Sequence, residues 1–431
     1  MKPITLLELI NYTWKNSDFY RQFWGRRGFN PDRDFHDDND LGKIPILTKE
    51  DLLSVPAKRR SMIDLKDNYY FTVFSSGTTT NSLVGIQQEY IMAPHHEFIE
   101  NLGRNSYSSV LVLRPAIYAL GFLGAGIFGK LYRPGSLFSL GDVNDFVFSA
   151  KLANEIEADR LIARPSDAIR FASALKQSGY SPSKINFLQI TGEALTSATI
   201  STLKNLYQKA LIFYNYGMTE CQSFMGTKSS LCAELEMINP GAYHINTRDF
   251  IFEIIDDSSV ITTLSKMPTP LIRYNTGDQI IVKENFQCSC NFQKSSIGII
   301  GPRVSGKSYK IGGCNFQTEE IKRVLKKISG LVKEDFKMQI EQVSDGTNVL
   351  NFLRFTIRPL GNPTPLLTNI ILDTLNQEMR VNQSKLLGDA IKEGSFRPAE
   401  INYDATIRGE RILPPTEIME PFQNTRKKFN Q

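Results

Sequence analysis

The chain is poor in the residues on which several common chemistries depend. It has 4 histidines and 2 tryptophans in 431 residues, and its 5 cysteines are few and odd in number. Such a cysteine set argues against a disulfide framework and points to reduced thiols or a metal site. Long apolar runs are missing as well. The most apolar segment, Ile117 to Gly129, is short, glycine-rich and preceded by Arg114-Pro115, so no membrane span is expected. The opening residues, Met1 to Glu8, lack the apolar core of a secretory signal and meet a carboxylate early, which makes the cytoplasm the expected location. Charge of one sign is not in excess either: 50 basic against 45 acidic residues give +5, too balanced for nucleic acid as the main partner.

What remains is an ordinary globular composition, 41% apolar and 22% charged, at a length that suits two or three domains of roughly 150 residues. Apolar residues at helical spacing predict a helical opening over residues 4–20, and Thr48 with Asp51 three positions later forms a capping box for a short helix. Strand-like runs fall at 70–74, 109–113, 161–163, 187–191 and 211–214, with helical stretches at 145–158, 166–178 and 197–207. This alternation predicts an α/β fold with parallel strands. After Tyr216 the pattern turns β-rich, with Asp256-Asp257-Ser258 as a hairpin connection, and reads as another, β-rich module following the α/β one. A boundary near residues 302–306 divides an N-terminal domain, 1–302, from a small α+β C-terminal domain, 303–431. No internal repeat is present.

Four stretches carry chemistry. In the first, the β-prone Phe71-Thr72-Val73-Phe74 runs into Ser75-Ser76-Gly77-Thr78-Thr79-Thr80, an uncharged hydroxyl turn suited to phosphate oxygens. The second, Thr191-Gly192-Glu193-Ala194-Leu195, sits at a strand end, where ligands of open α/β sheets collect. In the third, Tyr214-Asn215-Tyr216-Gly217-Met218-Thr219-Glu220, a carboxylate follows a glycine turn and suits a magnesium ion. The fourth, Arg273-Tyr274-Asn275-Thr276-Gly277-Asp278, presents an acceptor-only carboxylate able to take both hydroxyls of a ribose. A rival phosphate site, Gly301-Pro302-Arg303-Val304-Ser305-Gly306-Lys307-Ser308, has P-loop spacing. It is followed by a strand-like Tyr309-Lys310-Ile311-Gly312-Gly313 instead of a helix, which argues against it. Cys288-Ser289-Cys290, with Cys232 and His244 upstream, is a candidate tetrahedral zinc set or a group of reduced cysteines in a β module. Cys221 and Cys314 are bystanders.

These stretches, in this order, resemble the adenylate-forming superfamily, and most closely its branch related to phenylacetate-CoA ligase. The likeness runs from Ile44-Pro45-Ile46-Leu47-Thr48-Lys49-Glu50-Asp51-Leu52 to about Glu320. It implies a large N-terminal domain carrying the ATP and carboxylate sites and a small mobile C-terminal lid. It further implies that Ser75, Ser76, Gly77, Thr78, Thr79 and Thr80 handle the ATP phosphates, and that Gly192, Glu193 and Ala194 line the adenine. Asn215, Tyr216, Gly217 and Met218 would lie by the base, Thr219 and Glu220 at phosphate and Mg2+, Asp278 at the ribose and Arg303 at phosphate. His95, His96, Tyr118, Gly121, Phe122 and Gly124 would line the acid pocket, for an apolar or aromatic acid. Some relatives carry a structural zinc at segments like those of Cys232, His244, Cys288 and Cys290.

The activity implied is a carboxylic acid plus ATP giving an acyl-adenylate and pyrophosphate, then acyl transfer to CoA or to the phosphopantetheine thiol of a carrier protein. An oligomer is compatible with this. Three departures stand out. Thr80 takes the place of a loop glycine, the hinge aspartate is replaced by Gly306 or Lys307, and Thr425 occupies the position of the terminal lysine, leaving Lys427 or Lys428 to substitute. An amide- or ester-forming ligase and a catalytically weakened nucleotide-binding scaffold are therefore the alternatives.

Overall fold

A computed structural model describes residues 4–63, 70–74, 84–87, 108–115, 135–221, 223–290, 294–303, 305–382, 385–416, 418–419 and 422–423. The α/β expectation holds. Strands β3 (Ser109–Leu113), β4 (Leu137–Gly141), β5 (Arg160–Ala163), β6 (Phe187–Thr191) and β7 (Leu211–Met218) lie parallel in the order β7-β6-β5-β3-β4. Helices Phe146–Glu155, Pro165–Gln177 and Ser197–Leu206 connect the later ones. Every residue of β5 and β6 is buried, as strands covered on both faces must be. Leu111, Leu161, Phe171, Leu188, Leu203 and Ile212 join in the core between strands and helices.

The expected β-rich module is present, and its strands continue the same sheet. The strand-like run in the sequence ends at Tyr214, but β7 runs on to Met218 and pairs antiparallel with β8 (Ser223–Ser229). From there β9 (Ala242–Ile245), β13 (Lys294–Arg303), β12 (Tyr274–Gln287), β11 (Ser258–Thr263) and β10 (Phe250–Ile255) complete eleven strands among the described residues. The change of texture after Tyr216 marks the switch from parallel to antiparallel pairing, which needs hairpins in place of crossover helices. One such hairpin turns at Asp256 and Asp257, both at positive φ.

The helical opening is two helices, Leu6–Asn16 and Asp18–Arg26, divided at Ser17, whose side chain accepts from the Tyr20 N–H and caps the second. Tyr20, Phe23 and Trp24 are buried with Leu271, Ile272 and Tyr274, and the Tyr20 hydroxyl donates to the Pro270 carbonyl at 2.5 Å. Arg273 donates to the carbonyls of Gly42 and Ile44 at 2.8 and 2.5 Å. The N-terminal segment thus braces the start of β12, the strand that carries Asp278. The capping box of Thr48 and Asp51 is present on helix Lys49–Leu53.

A second core lies in residues 309–418, built from Phe316, Val324, Phe336, Met338, Phe355 and Ile371. Its sheet has the order β18 (Glu400–Tyr403), β17 (Val349–Pro359), β16 (Val332–Ser344), β19 (Glu410–Leu413). A hairpin, β14 (Ser308–Ile311) and β15 (Cys314–Gln317), precedes helix Thr318–Lys326. Gln317, not Thr318, is the cap residue of that helix. The P-loop spacing at 301–308 joins two strands and opens no helix. Phe422 turns back to the first sheet, where a Cβ on Gly301 would fall 2.5 Å from its ring.

Lys228, on β8, is 1% exposed. Its ammonium donates to the Pro240 carbonyl and lies 5.6 and 5.3 Å from the ring centres of Tyr214 and Tyr243. Burial pushes its pKa down to about 8. Between about pH 8 and the ordinary lysine range the unfolded chain holds a proton that the folded chain has released, so stability rises with pH across that window. Below it, both states are protonated and the cost of burying the charge is complete. Lys228→Met is expected to stabilise the chain at neutral pH by ~1–3 kcal/mol and to remove this residue's share of the slope. Denaturant titrations at pH 7, 9 and 10 would read both, and equal slopes in the two proteins would refute the assignment.

Candidate functional site

The centre of the site is a carboxylate shared by residues from three strands. Asp278 lies just past Gly277, which takes φ +75°, at an irregularity within β12 held by Gly277 N–H donating to Asn275 Oδ1 at 2.8 Å and Asp278 N–H to Thr276 Oγ1 at 3.1 Å. The Tyr216 hydroxyl, from β7, donates to Asp278 Oδ2 at 2.8 Å. From β13, in register with Asp278, Arg303 brings its Nε to 3.4 Å from Oδ1. Burial and the Asp278 charge push the Tyr216 pKa well up, so it stays a hydrogen-bond donor. Asp278 also pushes the Arg303 guanidinium up, with Glu220 adding to the effect. β7 and β12 are not neighbours in the sheet, so this bond closes a contact across it. The result is a fixed carboxylate with lone pairs to spare.

Thr219 and Glu220 form the turn after β7, both half-buried. The Glu220 charge acts on Arg303, Tyr274 and Lys310, and its carboxylate offers hard oxygen ligands of the kind that fit Mg2+. Gly217 allows close approach, since a Cβ there would lie 2.8 Å from the Ser223 carbonyl. Asn215 is buried, with its Oδ1 accepting from Thr227 Oγ1 at 2.8 Å and its Nδ2 without a hydrogen-bond partner among the described residues. Met218 is half-buried against the aromatic core of the N-terminal helices.

Gly192, at φ +97°, carries the turn after β6; a Cβ there would be 3.2 Å from Arg114 Nη2. Arg114 Nη1 donates to the Thr191 carbonyl at 3.3 Å. Ala194 lines a narrow cleft between the two cores, with Glu193, Gly312, Asn351 and Ser395. The Glu193 carboxylate faces the second core, accepting from the Gly313 N–H at 2.8 Å and the Ser166 hydroxyl at 2.9 Å.

Sequence reasoning missed three cations here. Arg114 follows β3 and Arg164 follows β5, both at the carboxyl ends of parallel strands, where open-sheet ligands collect. Lys310, on β14, is pushed down to about 8 by loss of water around its ammonium and by Arg303, with Arg114 and Arg164 adding to it. Strand-end position would have found the two arginines. Nothing local in the sequence marks Lys310.

A second cluster gathers Cys232, His244, Cys288 and Cys290, all buried, with ligand atoms within 4.8 Å of one another. His244 Nε2 lies 3.2 Å from Cys290 Sγ and 3.6 Å from Cys232 Sγ, while its Nδ1 meets Ser295 Oγ at 2.6 Å. The serine contact orients the ring so that Nε2 faces the sulfurs, as a hydrogen bond to the far ring nitrogen does for metal-bound histidines. The Cys232 thiol is held down by the hydrogen bond from Cys290, against burial, and by His244. Three sulfurs and one imidazole in this space fit a closed tetrahedral zinc site. Cys221 and Cys314 belong to two other cores.

The loop Ser75 to Thr80 lies outside the described residues, as do His95, His96, Tyr118, Gly121, Phe122, Gly124, Thr425, Lys427 and Lys428. The strands on either side of the hydroxyl loop, β1 (Phe71–Phe74) and β2 (Val84–Gln87), are described and pair antiparallel.

No family model matches the chain. It is similar to a phenylacetate-coenzyme A ligase of Thermus thermophilus, with 24% identity over 455 aligned positions, covering 95% of this chain and 91% of that one. Among solved structures it is similar to 2-hydroxyisobutyryl-CoA ligase. The likeness to that protein with 2-HIB-AMP and CoA in its thioesterification state has TM-score 0.65 and 17% identity, covering 99% of this chain and 90% of that one. The likeness to the postadenylation state with 2-HIB-AMP has TM-score 0.56 and 16% identity, over 98% and 90%.

Proposed function

We infer that this chain, which has the fold of the adenylate-forming ligases and is similar along 95% of its length to a phenylacetate-coenzyme A ligase, is an ATP-dependent acid–thiol ligase. The observation that carries the reading is the Tyr216–Asp278–Arg303 constellation. In the first half-reaction a carboxylate oxygen of the acid attacks the α-phosphorus of ATP, and pyrophosphate leaves with the electrons of the broken P–O bond. In the second, the sulfur of a thiolate attacks the acyl carbon and AMP leaves, giving the thioester.

Neither step needs a protein nucleophile; both need placement and compensation of charge. Asp278 accepts the two ribose hydroxyls through lone pairs that Tyr216 and Arg303 leave open. Tyr216 fixes the carboxylate's orientation and closes one side of the base site. Arg303 and Thr219 face the phosphate, and the hydroxyls of Ser75 to Thr80 hold the outgoing pyrophosphate. Glu220 would hold Mg2+, which when bound neutralises phosphate charge. Arg114, Arg164 and Lys310 add positive potential to the same space. CoA is the acceptor, and a carrier-protein thiol is the variant to test beside it. The acid is aromatic or apolar, from the composition of residues 117–129. The chain works in the cytoplasm, and the cysteine cluster holds one structural zinc.

ATP–pyrophosphate exchange with a panel of aryl and short-chain acids tests the reading. At least one acid is expected to raise exchange at least about tenfold over the acid-free rate, the signature of reversible adenylate formation. A nucleotide-binding scaffold would show no acid-dependent exchange with any of them, and that result would overturn the assignment.

A further inference from the structure

The tip of the β14–β15 hairpin is the two-residue turn Gly312-Gly313, flanked by the pair Ile311 and Cys314. Both glycines take positive φ, +60° and +78°, as a turn matched to strand twist requires. Such a turn leaves the polar groups of its central residues pointing outward, and those of Gly313 are used across the boundary between the two cores. Its N–H donates to Glu193 Oε1 at 2.8 Å, and its carbonyl accepts from Arg164 Nη1 at 3.4 Å, while Asn382 Nδ2 holds the same carbonyl from its own side at 2.7 Å.

The groups on the first core are themselves held in place. Asp167 is fully buried and bonds Arg164 Nε at 2.5 Å and Arg170 Nη2 at 3.0 Å. Arg170 in turn donates to Ser395 Oγ at 2.9 Å and lies 3.6 Å from Glu393, both on the second core. Glu193 is braced by Ser166, through the hydroxyl at 2.9 Å and the N–H at 3.3 Å. A Cβ on Gly313 would sit 3.5 Å from Arg170 Nη2 and 3.6 Å from Ser166 Oγ, so the glycine lies directly on this set. The contact is polar and charge-assisted, the kind that releases more readily than an apolar interface of the same size. The connection between the cores passes through Gly306, at φ +59°.

We propose that Glu193 and the Arg164–Asp167–Arg170 triad, centred on the buried Asp167, form a latch that docks the C-terminal module on the turn after β6, with the Gly313 N–H as the strike. Glu193 is then a positioning residue for the module. The latch is defined by contacts within the chain and stands whether or not the acid–thiol ligase reading does.

Hydrogen exchange on the full chain reads docking without any activity. Glu193→Ala is expected to speed exchange of the Gly313 amide at least about tenfold, the effect of one charge-assisted hydrogen bond, while amides of β5 and β6 stay at wild-type rates. Glu193→Gln keeps an acceptor oxygen and is expected to restore slow exchange to within about threefold of wild type. Ser395→Ala, which removes the Arg170 contact from the other side, is expected to loosen the same hairpin without touching Glu193. Unchanged Gly313 exchange in Glu193→Ala would overturn the latch. So would equal loosening by Ala and Gln, or acceleration spread evenly through β5 and β6. If Glu193→Ala does not fold, unchanged hairpin exchange in Ser395→Ala overturns it instead.

Discussion

Asp278→Ala should lower ATP affinity, and with it acid-dependent pyrophosphate exchange, by at least about a hundredfold. Two effects combine. The ribose loses a charged acceptor, and each hydrogen bond to a charged group contributes about 1.5–3 kcal/mol. The same substitution takes the partner from the Tyr216 hydroxyl at 2.8 Å and from the Arg303 guanidinium at 3.4 Å, so the phosphate-facing cation loses its anchor. Tyr216→Phe separates the two, because it keeps the carboxylate and removes only the bond that orients it; its loss is expected to stay within about tenfold. Calorimetric titration with ATP would measure both variants. An Asp278→Ala protein that binds ATP as the parent does would remove the ribose assignment, and with it the centre of the site.

Stripping metal from the cysteine cluster should cost about 3–5 kcal/mol of stability, the scale on which removing one partner leaves buried charge uncompensated. Structural zinc contributes roughly 10–16 kcal/mol where it organises a peptide with no other core. Here Leu235, Ala242, Ile297, Ile299 and Phe422 pack around the cluster, so the module keeps part of its own stability. Metal analysis of the purified chain is expected to find about one zinc per chain. Cys288→Ser with Cys290→Ser should abolish that zinc and lower the unfolding midpoint, whereas Cys221→Ser and Cys314→Ser, in other cores, should leave zinc content unchanged. A metal-free chain with Cys232, Cys288 and Cys290 all open to thiol reagents under native conditions would end the assignment.

Much of the architecture was legible because it is written in local periodicity. Alternating strands and helices from residue 109 to 214 announced a parallel sheet. The Thr48–Asp51 capping box is where the sequence put it, and the strand-like reading of Tyr309 to Gly313 was enough to set aside the P-loop spacing. The continuity of the sheet through β7, β8 and β9 was not legible. A local pattern shows that residues favour extended backbone and is silent on which strand each will pair with. The helical opening broke at Ser17 for a related reason: a short hydroxyl side chain can end one helix and cap the next without disturbing the apolar spacing on either side.

For the site, residue chemistry and order along the chain were enough to select Glu220 and Asp278 as candidates and to group Cys232 and His244 with Cys288 and Cys290, while Tyr216 entered through the family resemblance. Those choices rest on which side chains can accept, donate or ligate, and that is a property of the residue itself. Only the tertiary structure decided who meets whom. It bonded Tyr216 to Asp278 across 62 positions of sequence, turned Glu193 toward a glycine 120 positions away, and brought Lys310 into the field of Arg303, Arg114 and Arg164. Contacts of that range depend on the order of strands in a sheet and on the docking of two cores, and no run of neighbouring residues encodes either.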